Sequence, residues 1–198
     1  MKFGSLLLIL FLSGCGGAPT HFYTLAPMVP AAATDGKTCE AAPVMVHHVM
    51  LPETLDRQSM VRADGTERLE ISSQDRWAAP LDGMIQHVLA EDLRNRLPPG
   101  RVLLPGDAPP PGGTAGLDIN IQRFAGSITG HVTLQVDWTL LDLHGAASPT
   151  RSESITAAAA SSSADDVVAA MSGSLGTLAD RIAAVLRNCP PALRATQR

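Results

Sequence analysis

Two segments in the second half of the chain alternate strictly between apolar and polar residues, and no other feature constrains the fold as strongly. They cover residues 117–122 and 132–140. A period of two places every apolar side chain on the same face of a β-strand, so each segment predicts a strand with one buried and one solvated face. Residues 126–130 are the predicted turn between them, and the two strands then form an antiparallel pair. A third, weaker strand is predicted over residues 150–157.

Strand signals also occur in the first half of the chain. Spaced valines predict a strand over residues 44–49. Farther on, residues 58–62 and 68–72 flank an Asp64-Gly65 pair. An Asp-Gly pair between two strand-like segments predicts a hairpin, because glycine tolerates the positive φ that such turns require. A short strand is predicted over residues 102–104, and a loop rich in Pro and Gly follows it.

Two helices are predicted from apolar spacing. Leucine or isoleucine recurs every four positions from Leu81 to Leu97, which is typical of an amphipathic helix with one face on a core. The second helix begins at Ser163, a capping residue with Asp166 three positions later, and continues to Val185. Its spacing also suits a short coiled-coil seam. Packing on the chain's own sheet is the interpretation we favour.

These elements together predict the fold class. We expect one α/β domain over residues 43–189, in which a mixed β-sheet and two main helices form a sandwich. A chain of 198 residues, 45% of them hydrophobic, is suited to a single domain with a substantial core. Residues 190–198 are predicted to be a polar tail.

The N terminus predicts export and a lipid anchor. Residues 3–12 form an almost unbroken apolar run, which is too short for a membrane-spanning helix of roughly 20 residues but suits a signal peptide. Leu-Ser-Gly-Cys follows, ending at Cys15, and this is the pattern that bacterial lipoprotein signal peptidase recognises. We therefore expect residues 1–14 to be cleaved as a signal peptide and Cys15 to be lipidated. The alternative is an ordinary signal peptide followed by a chance cysteine.

Residues 15–42 are interpreted as the lipidated N terminus and a tether, because Gly, Ala, Pro and Thr dominate them. Acyl chains on Cys15 would hold the protein stably on a membrane. Gly16 occupies the position where an aspartate would resemble an inner-membrane retention signal. The predicted location is therefore the periplasmic face of the outer membrane.

The sequence contains no recognisable catalytic motif. It has no G-x-S-x-G elbow, no P-loop and no G-x-G-x-x-G. Adjacent His47 and His48 on a strand are expected to point to opposite faces, so no metal site is predicted. A formal net charge of −4 with scattered basic residues excludes an electrostatic nucleic-acid surface. We predict neither catalysis nor a cofactor, and Trp77 and Trp138 are most simply core residues.

Several segments together resemble the PqiC family of ABC-transport auxiliary lipoproteins, and they cover most of the mature chain. These segments are the lipobox, residues 22–25, residues 44–57, residues 60–62, residues 75–81 and the strand with Trp138. The Leu-Pro-x-x-Leu-Asp-Arg and Arg-Trp-Ala-x-Pro-Leu motifs are specific in combination. The chain departs from the family at Gln58-Ser59, where Pro-Gln is common, and near Ser73, where an aromatic residue is usual.

The resemblance implies a fold and a function. The implied fold is a sandwich similar to the N-terminal domain of TolB. The implied function is a non-catalytic subunit of an MCE-type lipid-transport system that docks the MCE-domain protein and supports envelope integrity. It also implies self-association as a ring around that partner. The implied partner-binding residues are Leu51, Pro52, Leu55, Asp56, Arg57, Arg76 and Trp77, although Pro52 and Trp77 would equally shape a turn and fill the core.

Two other functions stay open on the sequence. An envelope hydrolase would need a nucleophile and a base that meet only in three dimensions. A structural or assembly lipoprotein of another envelope machine, in secretion or outer-membrane biogenesis, would share the anchor and the lack of catalytic motifs.

The remaining cysteines predict a disulfide. Apart from Cys15, the chain has only Cys39 and Cys189, and an oxidising compartment favours their pairing over two free thiols. The bridge would close a loop of about 150 residues and stabilise the fold by up to roughly 4–5 kcal/mol. We expect thiol titration of the denatured mature protein to detect these two thiols only after reduction. Two reactive thiols in the unreduced protein would contradict the pairing.

Overall fold

The alternating segments form two long neighbouring strands of an eight-stranded mixed sheet, on which two helices pack. The computed structural model describes residues 18–30 and 41–193. The strands are β1 (His21–Tyr23), β2 (Val44–Met50), β3 (Ser59–Asp64), β4 (Arg68–Trp77), β5 (Val102–Leu103), β6 (Ala115–Ser127), β7 (His131–Leu141) and β8 (Arg151–Ala158). The helices are α1 (Leu81–Arg94) and α2 (Ala164–Arg187).

The strand β6 connects the two halves of the sheet. One of its edges pairs antiparallel with β7 over almost its whole length, and β7 pairs antiparallel with β8. The other edge is shared by two parallel partners, since β2 pairs with residues 115–120 and β3 with residues 126–127. The strand order on that side is β1-β4-β3-β6-β2-β5. The predicted meander, hairpin and short strand are thus confirmed and belong to a single sheet.

Both helices cover the apolar side of the sheet. Alternate residues of β7, from Val132 to Leu140, are buried beneath them. The helix α1 packs against β2 and β5, α2 packs against β6, β7 and β8, and the two helices contact each other. Ser163 caps α2 as predicted, because its hydroxyl accepts a hydrogen bond from the backbone N–H of Asp166 at 3.3 Å. The second helix is therefore a core helix and not a coiled-coil seam.

Both ends of the domain differ from the prediction. The predicted tether contains β1, which pairs parallel with Asp75–Trp77, and the side chain of Leu25 is buried. At the other end, residues Pro191–Leu193 form a 3-10 turn, and the buried Leu193 accepts a hydrogen bond from the backbone N–H of Ala42. Each segment packs on the core through buried apolar side chains such as Leu25 and Leu193. These side chains are too few to give a periodic signal in the sequence.

The two adjacent histidines also differ from the prediction. A bulge between Val46 and Val49 breaks the pairing of β2 with β6, and the rings of His47 and His48 lie 6.2 Å apart. The side-chain amide of Gln86 donates hydrogen bonds to the Val46 and His47 carbonyl oxygens at 2.8 and 2.9 Å. The expectation of opposite faces was wrong because strict alternation ends where a strand bulges.

The predicted turn at residues 126–130 is shorter in the structure. Gly126 lies within β6, and the chain reverses at residues 128–130, where Gly130 has a φ of +83°. Gly126 serves packing, because a Cβ atom there would lie 2.2 Å from Cγ1 of Val167 in α2. Because Gly126 has no side chain, α2 can approach β6 closely at this position.

This contact predicts the effect of a substitution. Gly126→Ala should lower the free energy of unfolding by about 1–3 kcal/mol, because the buried Val167 must move. The double variant Gly126→Ala/Val167→Ala should lose less stability than the two single changes together. Chemical denaturation of the four proteins measures this coupling.

Gly173→Ala is the matched control, because no atom lies within 4 Å of a Cβ atom added there. It lies inside α2, where alanine is favoured over glycine by roughly 0.5–1 kcal/mol. Strict additivity of the changes at positions 126 and 167 would contradict the packing explanation.

Candidate functional site

Residues 18–30, which we call the strap, lie against both helices and form hydrogen bonds with α1 and α2. The backbone N–H of Ala26 donates to the hydroxyl of Ser172 at 3.1 Å, and that hydroxyl donates in turn to a carbonyl oxygen of α2. The backbone N–H of Met28 donates to Oδ1 of Asp92 at 2.6 Å. Strand pairing at β1 and these helix contacts fix the strap to the domain. The segment that leads from the predicted lipidation site is therefore part of the fold.

A charged group, which we call the clamp, holds the end of the strap. It consists of the buried Asp92 and Arg96 and the exposed Asp180. The guanidinium of Arg96 lies 3.3 Å from Oδ1 of Asp92 and 2.6 Å from Oδ1 of Asp180, and it also donates to the Met28 carbonyl oxygen at 3.0 Å. Gly176 permits this approach, because a Cβ atom there would lie 2.9 Å from the Met28 side chain. Both polar groups of the Met28 peptide backbone are thus bound by the clamp.

The clamp alters the ionisation of Asp92. This carboxyl is fully buried, and within the described residues its Oδ2 atom has no hydrogen-bond partner. Burial raises the pKa of Asp92 to about 6, although the Met28 N–H and Arg96 act in the opposite direction. The sequence contains a signal for this site, because Asp92 lies on the apolar stripe of α1 and Arg96 follows one turn later, just beyond the helix, where the same spacing leads us to expect an apolar residue.

The pairing register gives the domain two distinct ends. The β3–β4 turn, the β6–β7 turn and the start of α2 lie together at one end, because β3 and β6 run parallel and β8 leads into α2 there. Since β1 runs parallel to β4, the chain that precedes His21 also enters from this end. We call it the anchor end. The β7–β8 turn and the C terminus of α2 lie at the opposite, distal end.

A cleft of about 670 Å³ opens at the distal end. Its lining residues are Leu140, Asp142, residues 146–151, Val185 and residues 190–192. The carboxylate of Asp142 accepts hydrogen bonds from the backbone N–H groups of His144 and Ala146, both at 2.8 Å, and these bonds lower its pKa. The guanidinium of Arg151 lies 5.5 Å from the ring centre of buried Trp138. The cleft is therefore bordered by a turn with internal hydrogen bonds.

The predicted partner-binding residues separate into three groups. Leu55 and Trp77 are buried in the core, while Asp56 and Arg57 are exposed. Leu51, Pro52 and Arg76 are half-buried. The backbone N–H of Trp77 donates to the Gln58 carbonyl oxygen at 2.7 Å, which brings the two sequence motifs together. Core packing explains Leu55 and Trp77, and partner binding by the exposed residues stays a prediction.

The cysteines are only partly described. Cys15 and Cys39 lie outside the described residues, so lipidation stays a prediction. Cys189 is buried directly after α2, has a φ of +49° and is disulfide-bonded. Its partner is not among the described residues, and the pairing with Cys39 therefore also stays a prediction.

The helical serines are engaged in backbone hydrogen bonds. The hydroxyls of Ser172 and Ser174 donate to the carbonyl oxygens of Val168 and Ala170. In residues 18–30 and 41–193, no three His, Cys, Asp or Glu side chains are grouped so that they could hold a metal ion. None of the helices in these ranges has the length and apolarity needed to cross a membrane.

Sequence comparison connects the chain to envelope lipoproteins. A family model described as ABC-type transport auxiliary lipoprotein component matches residues 23–183, a range that begins within the strap. The intermembrane transport lipoprotein PqiC of Escherichia coli (strain K12) is 27% identical over 135 residues, which cover 66% of this chain and 69% of that protein. The PqiC protein of Shigella flexneri matches with the same identity and coverage.

Two crystal structures share the fold. An uncharacterized protein superposes with a TM-score of 0.70 at 18% identity, covering 85% of this chain and 99% of the other. A Xanthomonas campestris protein assigned to the DUF330 family model superposes with a TM-score of 0.66 at 15% identity, covering 84% and 95%. The expected α/β domain with a mixed sheet and two helices is thus confirmed.

The clamp predicts a specific pH dependence of stability. With its pKa raised from 3.8 to about 6, Asp92 binds a proton more tightly in the folded protein than in the unfolded chain. The stabilisation by this proton is complete below about pH 4 and disappears as the pH rises through about 6. Asp92→Asn removes the titration and keeps an oxygen that accepts from the Met28 N–H.

We therefore expect the free energy of unfolding of the wild type to fall relative to Asp92→Asn between pH 4 and pH 7. The relative loss should be on the order of 3 kcal/mol. Urea denaturation across this pH range measures it, and Glu91→Gln on the same helix is the control. Parallel profiles for the wild type and Asp92→Asn would contradict this assignment.

Proposed function

This chain belongs to the family of ABC-type transport auxiliary lipoprotein components, and on that premise we propose that it docks the MCE-domain protein of a lipid-transport system at the outer membrane. In this proposal, Cys15 is acylated and holds the domain on the periplasmic face of that membrane. The subunit performs no chemistry. It provides a fixed site where the periplasm-spanning component meets the membrane, and it thereby supports envelope integrity.

The observation that carries the proposal is the attachment of the strap to the domain. A flexible tether would leave the domain free to rotate beneath its anchor. Here β1 and the clamp fix the chain from about His21 to Met28. Membrane attachment would then orient the whole domain, which a docking subunit requires.

The non-catalytic part of the proposal has its own support. The family description is that of an auxiliary transport component. The hydroxyls of Ser172 and Ser174 are engaged by helix carbonyl oxygens, which is unfavourable for a nucleophile that needs a neighbouring base. These observations favour a binding role over the hydrolase alternative.

The distal cleft is the docking surface that we propose. It lies at the opposite end of the sheet from the chain that leads to Cys15, so it would face the periplasm when the anchor is in the membrane. The turn that borders it is held in place by Asp142. A surface with this position suits a partner that arrives from the periplasm. Asp56 and Arg57 would provide a second, exposed contact.

A membrane co-purification experiment tests the proposal. The full-length protein with a C-terminal tag is expressed in its native host, extracted in mild detergent and purified, and bound proteins are identified by mass spectrometry. We expect an MCE-domain protein to co-purify. A complex mass that corresponds to several copies of this chain would support the ring-like self-association. Recovery of secretion or outer-membrane assembly proteins instead would favour another envelope machine.

Two matched variants locate the contact. Ala147→Glu introduces a charge into the exposed turn that borders the distal cleft, and Thr66→Glu introduces it into the β3–β4 turn at the anchor end. We expect Ala147→Glu to reduce the recovered MCE-domain protein by about tenfold, equivalent to roughly 1.4 kcal/mol. Thr66→Glu should recover wild-type amounts. Equal recovery with both variants would contradict docking at the distal cleft.

A further inference from the structure

Of the seven large apolar side chains that are exposed in the described residues, three lie at the anchor end of the domain. Leu69 and Ile71 on β4 are 46% and 55% exposed, and Ile128 in the β6–β7 turn is 37% exposed. Phe22, which is 61% exposed, lies on β1, the strand through which the N-terminal chain enters the sheet. We call these four residues the anchor patch. Leu69 and Ile71 pair with Ala63 and Val61, which are buried on the core face of β3. The apolar face of the sheet thus continues beyond the area that the helices cover.

The length of the chain limits the distance between this patch and the anchor. His21 lies six positions after Cys15, and a chain of six residues spans at most about 20 Å when fully extended. His21 is fixed because it pairs with Asp75 in the sheet. A bilayer that holds the acyl chains must therefore lie within about 20 Å of His21. Because the described chain before His21 enters from the anchor end, this is the end that we place against the bilayer.

The charges around the patch favour apolar contact over electrostatic attraction. Asp64, Glu67 and Glu70 surround the β3–β4 turn, and Arg68 there lies 3.1 Å from the carboxylate of Asp64. Asp165 and Asp166 at the start of α2 add further negative charge at this end. An anionic membrane surface would be repelled, whereas apolar side chains can enter the interfacial region of a zwitterionic bilayer.

We propose that the anchor patch is a second membrane contact, in which Leu69, Ile71, Ile128 and Phe22 rest in the interface of the bilayer that holds the acyl chains. This inference rests on the proposed acylation of Cys15. The anchor keeps the patch at high effective concentration beside the lipid, so weak apolar contacts are sufficient to orient the domain. The domain then stands with its anchor end on the membrane and its distal cleft toward the periplasm.

Quenching by brominated lipid tests the contact. The mature acylated protein is purified from its native host and reconstituted in vesicles of phosphatidylcholine with brominated acyl chains, which quench nearby tryptophan. Ile71→Trp carries the probe in the patch, and His144→Trp carries it in the exposed distal turn. The native Trp77 and Trp138 are 3% and 2% exposed, so their signal can be subtracted.

We expect the added fluorescence of Ile71→Trp to fall at least twofold, in low and in high salt, and that of His144→Trp to stay unchanged. Leu69→Trp is the second probe and should behave like Ile71→Trp. Equal quenching at both ends, or none at either, in protein that floats with the vesicles would overturn the contact and leave the anchor intact. Burial of the patch by a second copy of this chain, detected as cross-linking through position 71, would also overturn it.

Protein that fails to float with the vesicles would have a different meaning. It would show that the acyl anchor is absent, and it would remove the proposed function together with this inference.

Discussion

The organisation of this domain depends on one strand that pairs with three others. Along one edge β6 bonds to β7, and along the other it bonds first to β2 and then to β3. This shared edge brings the hairpin and the bulged strand into the same sheet, and the sheet then has a single apolar side for α1 and α2 to cover. Gly126 and Gly116 lie at the two ends of the paired region. Each lacks a Cβ atom where Val167 or His47 closely approaches the strand.

The strap adds a second long-range constraint to this sheet. A buried carboxylate is costly unless it is paired and hydrogen-bonded. Asp92 is satisfied in part by Arg96 and in part by the backbone of the strap. The helical layer is therefore completed by residues 18–30, and the same contacts determine where the N-terminal chain leaves the domain. The stability of the domain and the direction in which its N-terminal chain leaves depend on the same group of atoms.

This arrangement is consistent with the docking role proposed above. The sheet register places the chain that enters at His21 and the distal cleft at opposite ends of the domain, and the proposed role needs a surface that faces away from the membrane. The match to the family begins at Tyr23, inside the strap, which agrees with a domain that includes this segment.

The sequence by itself determined the elements whose signal is local. Alternation over residues 117–140, the Asp-Gly turn, the apolar stripes and the Ser163 cap each depend on neighbours a few residues apart, so they identified the strands and helices correctly. The signal of the lipobox is equally local, and the lipidation of Cys15 that it indicates stays a prediction. Leu55 and Trp77 were predicted to bind a partner, with core packing as the alternative for Trp77, and both side chains are buried in the core.

Only the tertiary structure decided the features that depend on distant residues. The shared edge of β6, the bulge at His47 and the strap arise from contacts such as Ala26 with Ser172, which are 146 residues apart. A three-residue strand such as β1 has no periodicity to detect, and it is stable only because β4 and the clamp are already in place. Local patterns therefore specified the parts, and the free energy of burying them together specified their arrangement.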